Sequence, residues 1–205
     1  MMDERDPLNL IVCGTGGQGN VLLSRFLARA FIKKGYSTTI GETFGQSQRG
    51  GAVMSHVRVS KKKSYGPLIP EGQGHVILGL EPMETIRVLG NYGNPNVAVV
   101  SNVRPIYPMA AITGEKDYPD MKKNREAIRA LSATCWLLDA TEISLELGNP
   151  ILTNMVMIGA LIRAGLVDLH KYDAEDVVRE TFPPKATGIN LKAINRGIDA
   201  AERVG

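Results

Sequence analysis

Two short glycine-rich clusters are the parts of this sequence whose residue types could bind a ligand. The first is Gly14-Thr15-Gly16-Gly17-Gln18-Gly19, which fits the pattern G-x-G-x-x-G, and the second is Gln48-Arg49-Gly50-Gly51. Glycines let backbone N–H groups approach an anion closely, and a guanidinium can hold a carboxylate or phosphate through two parallel hydrogen bonds. The clusters therefore predict an anion site. Its candidate residues are Gly14, Gly16, Gly17, Gln18, Gly19, Gln48, Arg49, Gly50 and Gly51.

The first cluster has several interpretations. In a dinucleotide-binding protein such glycines make a tight turn and place a pyrophosphate at a helix N-terminus. That fold also needs an acid at the end of the second strand, where Glu42 is the only one, and the chain continues there into a loop and a strand, not a helix. A nucleotide-hydrolysing P-loop is disfavoured, because Asn20 and Val21 stand where Lys and Ser or Thr are required. Another phosphate-bearing ligand, or a turn that only packs helix on strand, fits equally.

No set of residues supports catalysis by this chain alone. His56, His75 and His170 are not spaced as metal ligands, and we expect them to be structural. The sequence has no G-x-S-x-G nucleophile motif. Asp139 ends a predicted strand and could face the same edge of the sheet as the glycine clusters, but the sequence offers no second residue that would act with it in catalysis. We therefore predict no catalytic residue and no metal ligand. Arg49 could equally have a structural role, in which its side chain holds its own loop against the rest of the protein.

Cys13 and Cys135 are the only cysteines, and both lie in apolar, strand-like segments. We expect them to be buried free thiols. An iron–sulfur cluster normally needs four thiolates at short spacings. Two cysteines so far apart therefore cannot hold a cluster by themselves.

Composition places the chain among ordinary globular proteins. Its 205 residues are 43% hydrophobic, which suits one α/β domain spanning residues 1–205. No apolar run is long enough for a membrane span, and the charged start lacks the apolar stretch of a signal peptide. We therefore expect a cytoplasmic protein without a membrane partner. The net charge is only +3, and the basic run Lys61-Lys62-Lys63 is expected to be a solvated turn. Aromatic residues are not interleaved with the basic ones, which argues against a nucleic-acid partner.

The first glycine cluster lies inside a predicted strand–loop–helix–strand unit. Residues 9–13 are an apolar strand that ends at the cluster, and residues 20–34 carry an apolar helical stripe that Gly35 ends. Residues 36–43 predict the second strand. We expect the first two strands to lie side by side. Both glycine clusters would then meet at the carboxyl edge of the sheet, where open α/β sheets bind ligands.

The rest of the chain alternates strands with helices and then becomes helical. Further strands are predicted at residues 52–59, 75–80, 96–101 and 134–139, and helices at residues 81–89, 120–131, 149–164, 173–182 and 189–203. The segment 151–162 is apolar nearly all round, so it either fills the core or meets a partner chain, and we favour the core. The predicted fold class is α/β, a single three-layer domain with a mostly parallel, Rossmann-like sheet and a helical C-terminal third.

Longer stretches around the two clusters resemble the gamma-type subunits of 2-oxoacid:ferredoxin oxidoreductases. Residues 11–19, 42–51, 55–58 and 67–72 carry the resemblance. Further matching positions follow in the same order, namely Glu81-Pro82, Asn154, Gly159, Asn190, Ala193 and Gly197. The resemblance covers most of the chain and is closest to the beta subunit of the indolepyruvate branch.

The resemblance implies a complex that oxidatively decarboxylates a 2-oxoacid, forms an acyl-CoA and passes electrons to ferredoxin. It implies that thiamine diphosphate and iron–sulfur clusters lie on partner chains, that coenzyme A is a co-substrate, and that this chain holds no cofactor and is inactive alone. The sequence agrees, since it has no Gly-Asp dipeptide with which to begin a thiamine diphosphate motif. Two alternatives stay open: a free-standing NAD-, FAD- or phosphate-ligand-binding protein, and an assembly module whose loops bind nothing.

Overall fold

A seven-stranded sheet organises the chain in the computed structural model, which describes residues 5–44, 51–107, 111, 113–115 and 117–204. The strands are β1 (Leu8–Thr15), β2 (Ser37–Phe44), β3 (Ala52–Ser60), β4 (Val76–Gly79), β5 (Ala98–Asn102), β6 (Thr134–Leu138) and β7 (Glu202–Val204). The helices are α1 (Asn20–Lys33), α2 (Pro82–Tyr92), α3 (Met121–Ala130), α4 (Ala140–Glu146), α5 (Thr153–Ala164), α6 (Lys171–Thr181) and α7 (Pro184–Ala200), with a 3₁₀ turn at Pro150–Leu152. Within these ranges, no helix combines the length and apolarity that a membrane span needs.

The strand order is β2-β3-β1-β4-β5-β6-β7. The central strands β1, β4, β5 and β6 are parallel, whereas β3 is antiparallel to both of its neighbours and β7 is antiparallel to β6. The predicted α/β fold with a parallel sheet is therefore confirmed for the centre, and antiparallel strands complete both sides. The prediction that the first two strands are neighbours was wrong. β3 lies between them, because β2 turns back into an antiparallel partner, which needs only a short connection and no crossover helix.

Two apolar cores cover the two faces of the sheet, because successive side chains of a strand point to opposite faces. Leu10 and Val12 of β1 belong to the core formed with α1, α5, α6 and α7. Ile11 and Cys13 belong to the other core, formed with α2 and α3. Both cysteines are buried free thiols, as predicted, and Cys135 lies in the second core as well.

The apolar helix α5 is a core element, which confirms the interpretation favoured from the sequence. Met155 is 1% exposed and Val156 is fully buried. α5 packs most extensively on α7, at a crossing where both helices carry glycine. A Cβ atom built on Gly159 would lie 2.0 Å from the carbonyl oxygen of Ile194, so the two backbones touch only because that side chain is absent.

Four C-terminal elements differ from the prediction. α6 begins at Lys171 and not at Asp173, whose carboxylate accepts the N–H of His170 from inside the first turn. α7 begins at Pro184 and not at Ile189, because proline is favoured in the first turn of a helix. That helix ends at Ala200, and the three-residue strand β7 follows where helix was predicted. The short helix α4 was not predicted.

Candidate functional site

The first glycine cluster forms the turn from β1 into α1 at the carboxyl edge of the sheet. Gly17 and Gly19 have φ of +101° and +83°, the left-handed region that favours glycine. Gly19 is the N-cap residue of α1, so no side chain at that position caps the helix. The positive end of the α1 dipole therefore faces the edge without a capping carboxylate or hydroxyl, which suits an anion.

Gln18 clamps the glycine loop onto the neighbouring strand. Its Oε1 accepts the backbone N–H of Thr15 at 2.7 Å and the Thr15 hydroxyl at 3.1 Å. Its Nε2 donates to the carbonyl oxygen of Leu80, the residue after β4, at 2.9 Å. The side-chain amide of Gln18 thus fixes the conformation of the glycine loop and its position against the end of β4.

A buried asparagine at the end of β5 extends this clamp, and the sequence analysis missed it. Asn102 is fully buried, and its Nδ2 donates to the same Leu80 carbonyl at 3.1 Å and to the Thr141 hydroxyl at 3.0 Å. Its Oδ1 accepts the N–H of Ala140, the first residue of α4, at 3.0 Å. The Leu80 carbonyl, shared by the amides of Gln18 and Asn102, therefore joins the glycine loop to the end of β5, and Asn102 joins both to α4. An amide that ends a buried apolar strand was the sequence signal for it.

Asn154 of α5 holds the loop from the other side. Its side-chain Nδ2 lies 3.5 Å from the carbonyl oxygen of Gly19. A Cβ atom on Gly19 would lie 2.4 Å from that nitrogen, so glycine is required by the close approach as well as by φ. The buried helix α5 therefore fixes the start of α1.

Gly51, the one described residue of the second cluster, lies against the first cluster at the carboxyl end of β1. The N–H of Gly16 donates to the carbonyl oxygen of Gly51 at 2.8 Å, and Thr15 of β1 pairs with Ala52 of β3. Gly14 is the next-to-last residue of β1. Gln48, Arg49 and Gly50 lie outside the described residues, so their part in the anion site stays a prediction.

The surroundings of Glu42 do not match those of a dinucleotide-binding acid. Because β3 lies between β2 and β1, Glu42 is one strand further from the glycine loop than that fold requires. Its Oε1 is 3.9 Å from Nε of Arg25 on α1. A strand, not a helix, follows β2 along the chain. Glu42 therefore does not lie where a ribose-binding carboxylate of that fold would lie.

The remaining ionisable candidates have structural partners. Asp139 caps α4, accepting the N–H of Glu142 at 2.8 Å, and it lies 3.3 Å from Nε of Arg104. Nδ1 of His75 accepts the N–H of Asn9 at 3.0 Å, and burial lowers the pKa of this imidazole. Nδ1 of His56 likewise accepts a backbone N–H, that of Ile69 at 3.2 Å, and burial lowers its pKa too. Across the described ranges no cluster of side chains could hold a metal ion.

The fold and the site define an α/β protein with an uncapped, glycine-rich helix start at the carboxyl edge of its sheet, and among the described residues no catalytic set lies beside it. Residues 9–200 match the model of the pyruvate ferredoxin/flavodoxin oxidoreductase family, and the chain belongs to this family. The family resemblance seen in the sequence is thereby confirmed.

Full-length relatives carry the names of oxidoreductase subunits. Indolepyruvate oxidoreductase subunit IorB of Pyrococcus horikoshii is 36% identical over 197 residues, which is 96% of each chain. The pyruvate/ketoisovalerate oxidoreductases common subunit gamma of Thermococcus kodakarensis is 30% identical, over 88% of this chain and 89% of that one. The crystal structure of pyruvate oxidoreductase subunit PORC from Thermotoga maritima has the same fold. Its TM-score is 0.73, with 18% identity over 98% of this chain and 100% of that one.

Proposed function

We propose that this chain is the gamma-type subunit of a 2-oxoacid:ferredoxin oxidoreductase complex that acts on an aryl 2-oxoacid of the indolepyruvate type. One observation carries the proposal, namely the match over 96% of both chains to a relative that is named as a subunit of indolepyruvate oxidoreductase. Four relatives with that name are 30–36% identical, whereas those named for pyruvate are 27–30% identical. A free-standing dinucleotide-binding enzyme has less support, since Glu42 is displaced from the loop by β3.

The redox chemistry belongs to partner chains in this proposal. Decarboxylation of a 2-oxoacid needs a carbanion-stabilising cofactor such as thiamine diphosphate, and transfer of electrons to ferredoxin needs iron–sulfur clusters. This chain has two cysteines, and burial raises the pKa of the Cys13 thiol to about 12, so this thiol stays protonated and is a poor cluster ligand. We therefore place the thiamine diphosphate and the clusters on partner subunits, and ferredoxin contacts those subunits and not this chain.

The proposed role of the carboxyl edge is to hold an anionic group of a substrate. The start of α1 supplies backbone donors, Gly51 accepts a hydrogen bond from Gly16, and in the sequence Arg49 stands two residues before Gly51. A phosphate of coenzyme A or the carboxylate of the oxoacid suits this set. We propose that docking of the thiamine-bearing chain completes the site.

The test is the substitution Arg49→Lys in the assembled complex. Lysine keeps the charge but loses the two-pronged contact, so kcat/KM for coenzyme A or for the oxoacid should fall about 10- to 150-fold, while the complex stays intact. Arg25→Lys is the matched control, because Arg25 is an exposed arginine of α1 that lies 3.9 Å from Glu42. Unchanged kinetics for both substrates in the Arg49 variant would refute the anion site, and dissociation of the complex would place Arg49 at the subunit interface.

A further inference from the structure

A buried carboxylate stands beside the candidate site and has no assigned role. Glu81 follows β4 and is the N-cap residue of α2, where its Oε2 accepts the N–H of Glu84 at 2.8 Å. It is only 1% exposed, whereas Asp139 caps α4 with a side chain that is 34% exposed. Capping a helix does not require burial of the charge, and burial costs free energy because the carboxylate loses its hydration. Helix capping therefore does not by itself explain why Glu81 is buried.

Described residues on both sides of the connection between β5 and α3 bond to this carboxylate. Tyr118 donates its hydroxyl to Oε1 of Glu81 in a short hydrogen bond, and the backbone N–H of Ile106 also bonds to the carboxylate. The oxygen of the same hydroxyl accepts the N–H of Met83 in the first turn of α2. Tyr107 packs edge-on against Tyr118, with ring centroids 5.1 Å apart. One carboxylate therefore holds both ends of the connection against the start of α2.

The partners of Glu81 require a group that only accepts hydrogen bonds. Tyr118, Ile106 and Glu84 each direct a donor at the two oxygens. An ionised carboxylate satisfies all three, whereas an amide would turn an N–H group towards one of the donors. Burial raises the pKa of Glu81, and the three donors oppose that rise. The hydrogen bonds from Tyr118, Ile106 and Glu84 therefore offset part of the cost of burying this side chain.

We propose that Glu81 is a positioning residue that fastens residues 104–107 and 117–118, at the two ends of the β5–α3 connection, to the carboxyl edge of the sheet, next to the glycine loop. The preceding residue, Leu80, already joins Gln18 of that loop to Asn102 of β5 through its carbonyl oxygen. Two successive residues therefore tie the glycine loop, α2 and the connection into one unit. Tyr107, which is 54% exposed, is held at the carboxyl edge of the sheet by its contact with Tyr118. The inference goes beyond the proposed function, since it needs neither a ligand nor a partner chain.

Hydrogen exchange on the full chain tests the proposal. The variants are Tyr118→Phe, Glu81→Gln and their combination, with Tyr172→Phe on α6 as the control, because Tyr172 is an exposed tyrosine far along the chain from the site. Either single change should speed exchange in peptides covering residues 104–107 and 117–118 about tenfold. The double variant should exchange no faster than the Glu81 variant alone, since both changes break the same contact. The control should match the wild type.

A second readout separates positioning from simple helix capping. The ring NMR signals of Tyr107 and Tyr118 should shift with pH as Glu81 titrates, above the ordinary range of a glutamate, and should stay flat in the Glu81→Gln variant. Other ionisable side chains near Glu81 are Cys13 of β1 and the ion pair of Glu84 with Arg87 on α2. If Tyr118→Phe leaves exchange in the connection unchanged and Glu81→Gln loosens only α2, Glu81 is a helix cap and the proposal is wrong. Tyr118→Phe removes a single oxygen, so unchanged exchange in that variant would overturn the proposal even if the Glu81 variant fails to fold.

Discussion

Glycines serve different purposes at two places in this molecule. A Cβ atom on Gly197 of α7 would lie 1.9 Å from the carbonyl oxygen of Val156, so glycine there lets two helices touch. A Cβ atom on Gly17 would meet nothing within 4 Å, and glycine there permits a φ of +101°. Contacts within the chain account fully for the first position. At the second, no contact within the described chain requires glycine, and the backbone conformation alone does.

The largest effect is expected for a charge introduced into the packed helix pair. Met155→Glu buries an unpaired carboxylate, since Met155 is 1% exposed, and should lower the free energy of unfolding by about 4 kcal/mol or more. Circular dichroism during denaturant unfolding measures this. Ile151→Glu is the control, because Ile151 is 71% exposed in the preceding turn and should leave stability nearly unchanged. A folded, stable Met155 variant would show that α5 is not core.

A single methyl group at the helix crossing should have the next largest effect. Gly197→Ala forces α5 and α7 apart and should cost about 3 kcal/mol of unfolding free energy. Gly188→Ala in the same helix is the matched control, because a Cβ atom there meets nothing within 4 Å, and it should stabilise the chain by about 0.5–1 kcal/mol. Equal effects of the two changes would contradict the account of the crossing.

A change in the glycine loop should have a smaller effect on stability. Gln18→Met removes the bonds to Thr15 and to the carbonyl of Leu80 and should cost about 2 kcal/mol. Gln73→Met at an exposed glutamine is the control. Hydrogen exchange across residues 14–20 should rise in the first variant only. A loop that stays protected without Gln18 would mean that the clamp does not hold it.

The smallest effect expected is a dependence of stability on pH. The folded-state pKa values of His56 and His75 are lowered by burial, so the unfolded chain takes up protons first as the pH falls. The stabilisation is complete above the ordinary pKa of about 6.5 and is lost as the pH falls from there towards the lowered values. Unfolding free energies should differ by about 1 kcal/mol between about pH 7.5 and about pH 5.5, and His56→Gln should reduce that difference. An unchanged difference in the variant would exclude His56 as a source.

The sequence predicted the elements that periodicity and capping define, and it missed what depends on strand order. The strand–loop–helix unit around Gly14–Gly19 and the buried helix α5 follow from apolar patterns and glycine stops. Insertion of β3 beside β1 could not be predicted, because antiparallel and parallel neighbours have similar patterns at the scale of one strand. The network through Leu80, Asn102 and Glu81 was not predicted either, although the amide at the end of a buried strand was a signal for Asn102. It joins residues from separate strands, and only the order of those strands brings them together.

The most direct test of the central claim is affinity purification of the tagged chain from its native host, followed by identification of the chains that co-purify. We expect a chain with a thiamine diphosphate motif and clustered cysteines to co-purify at a fixed stoichiometry. The purified complex should reduce a dye when given an aryl 2-oxoacid and coenzyme A. The chain purified alone should be colourless and inactive with the same substrates. Purification of the chain without such a partner, or turnover and a bound chromophore in the isolated chain, would contradict the account.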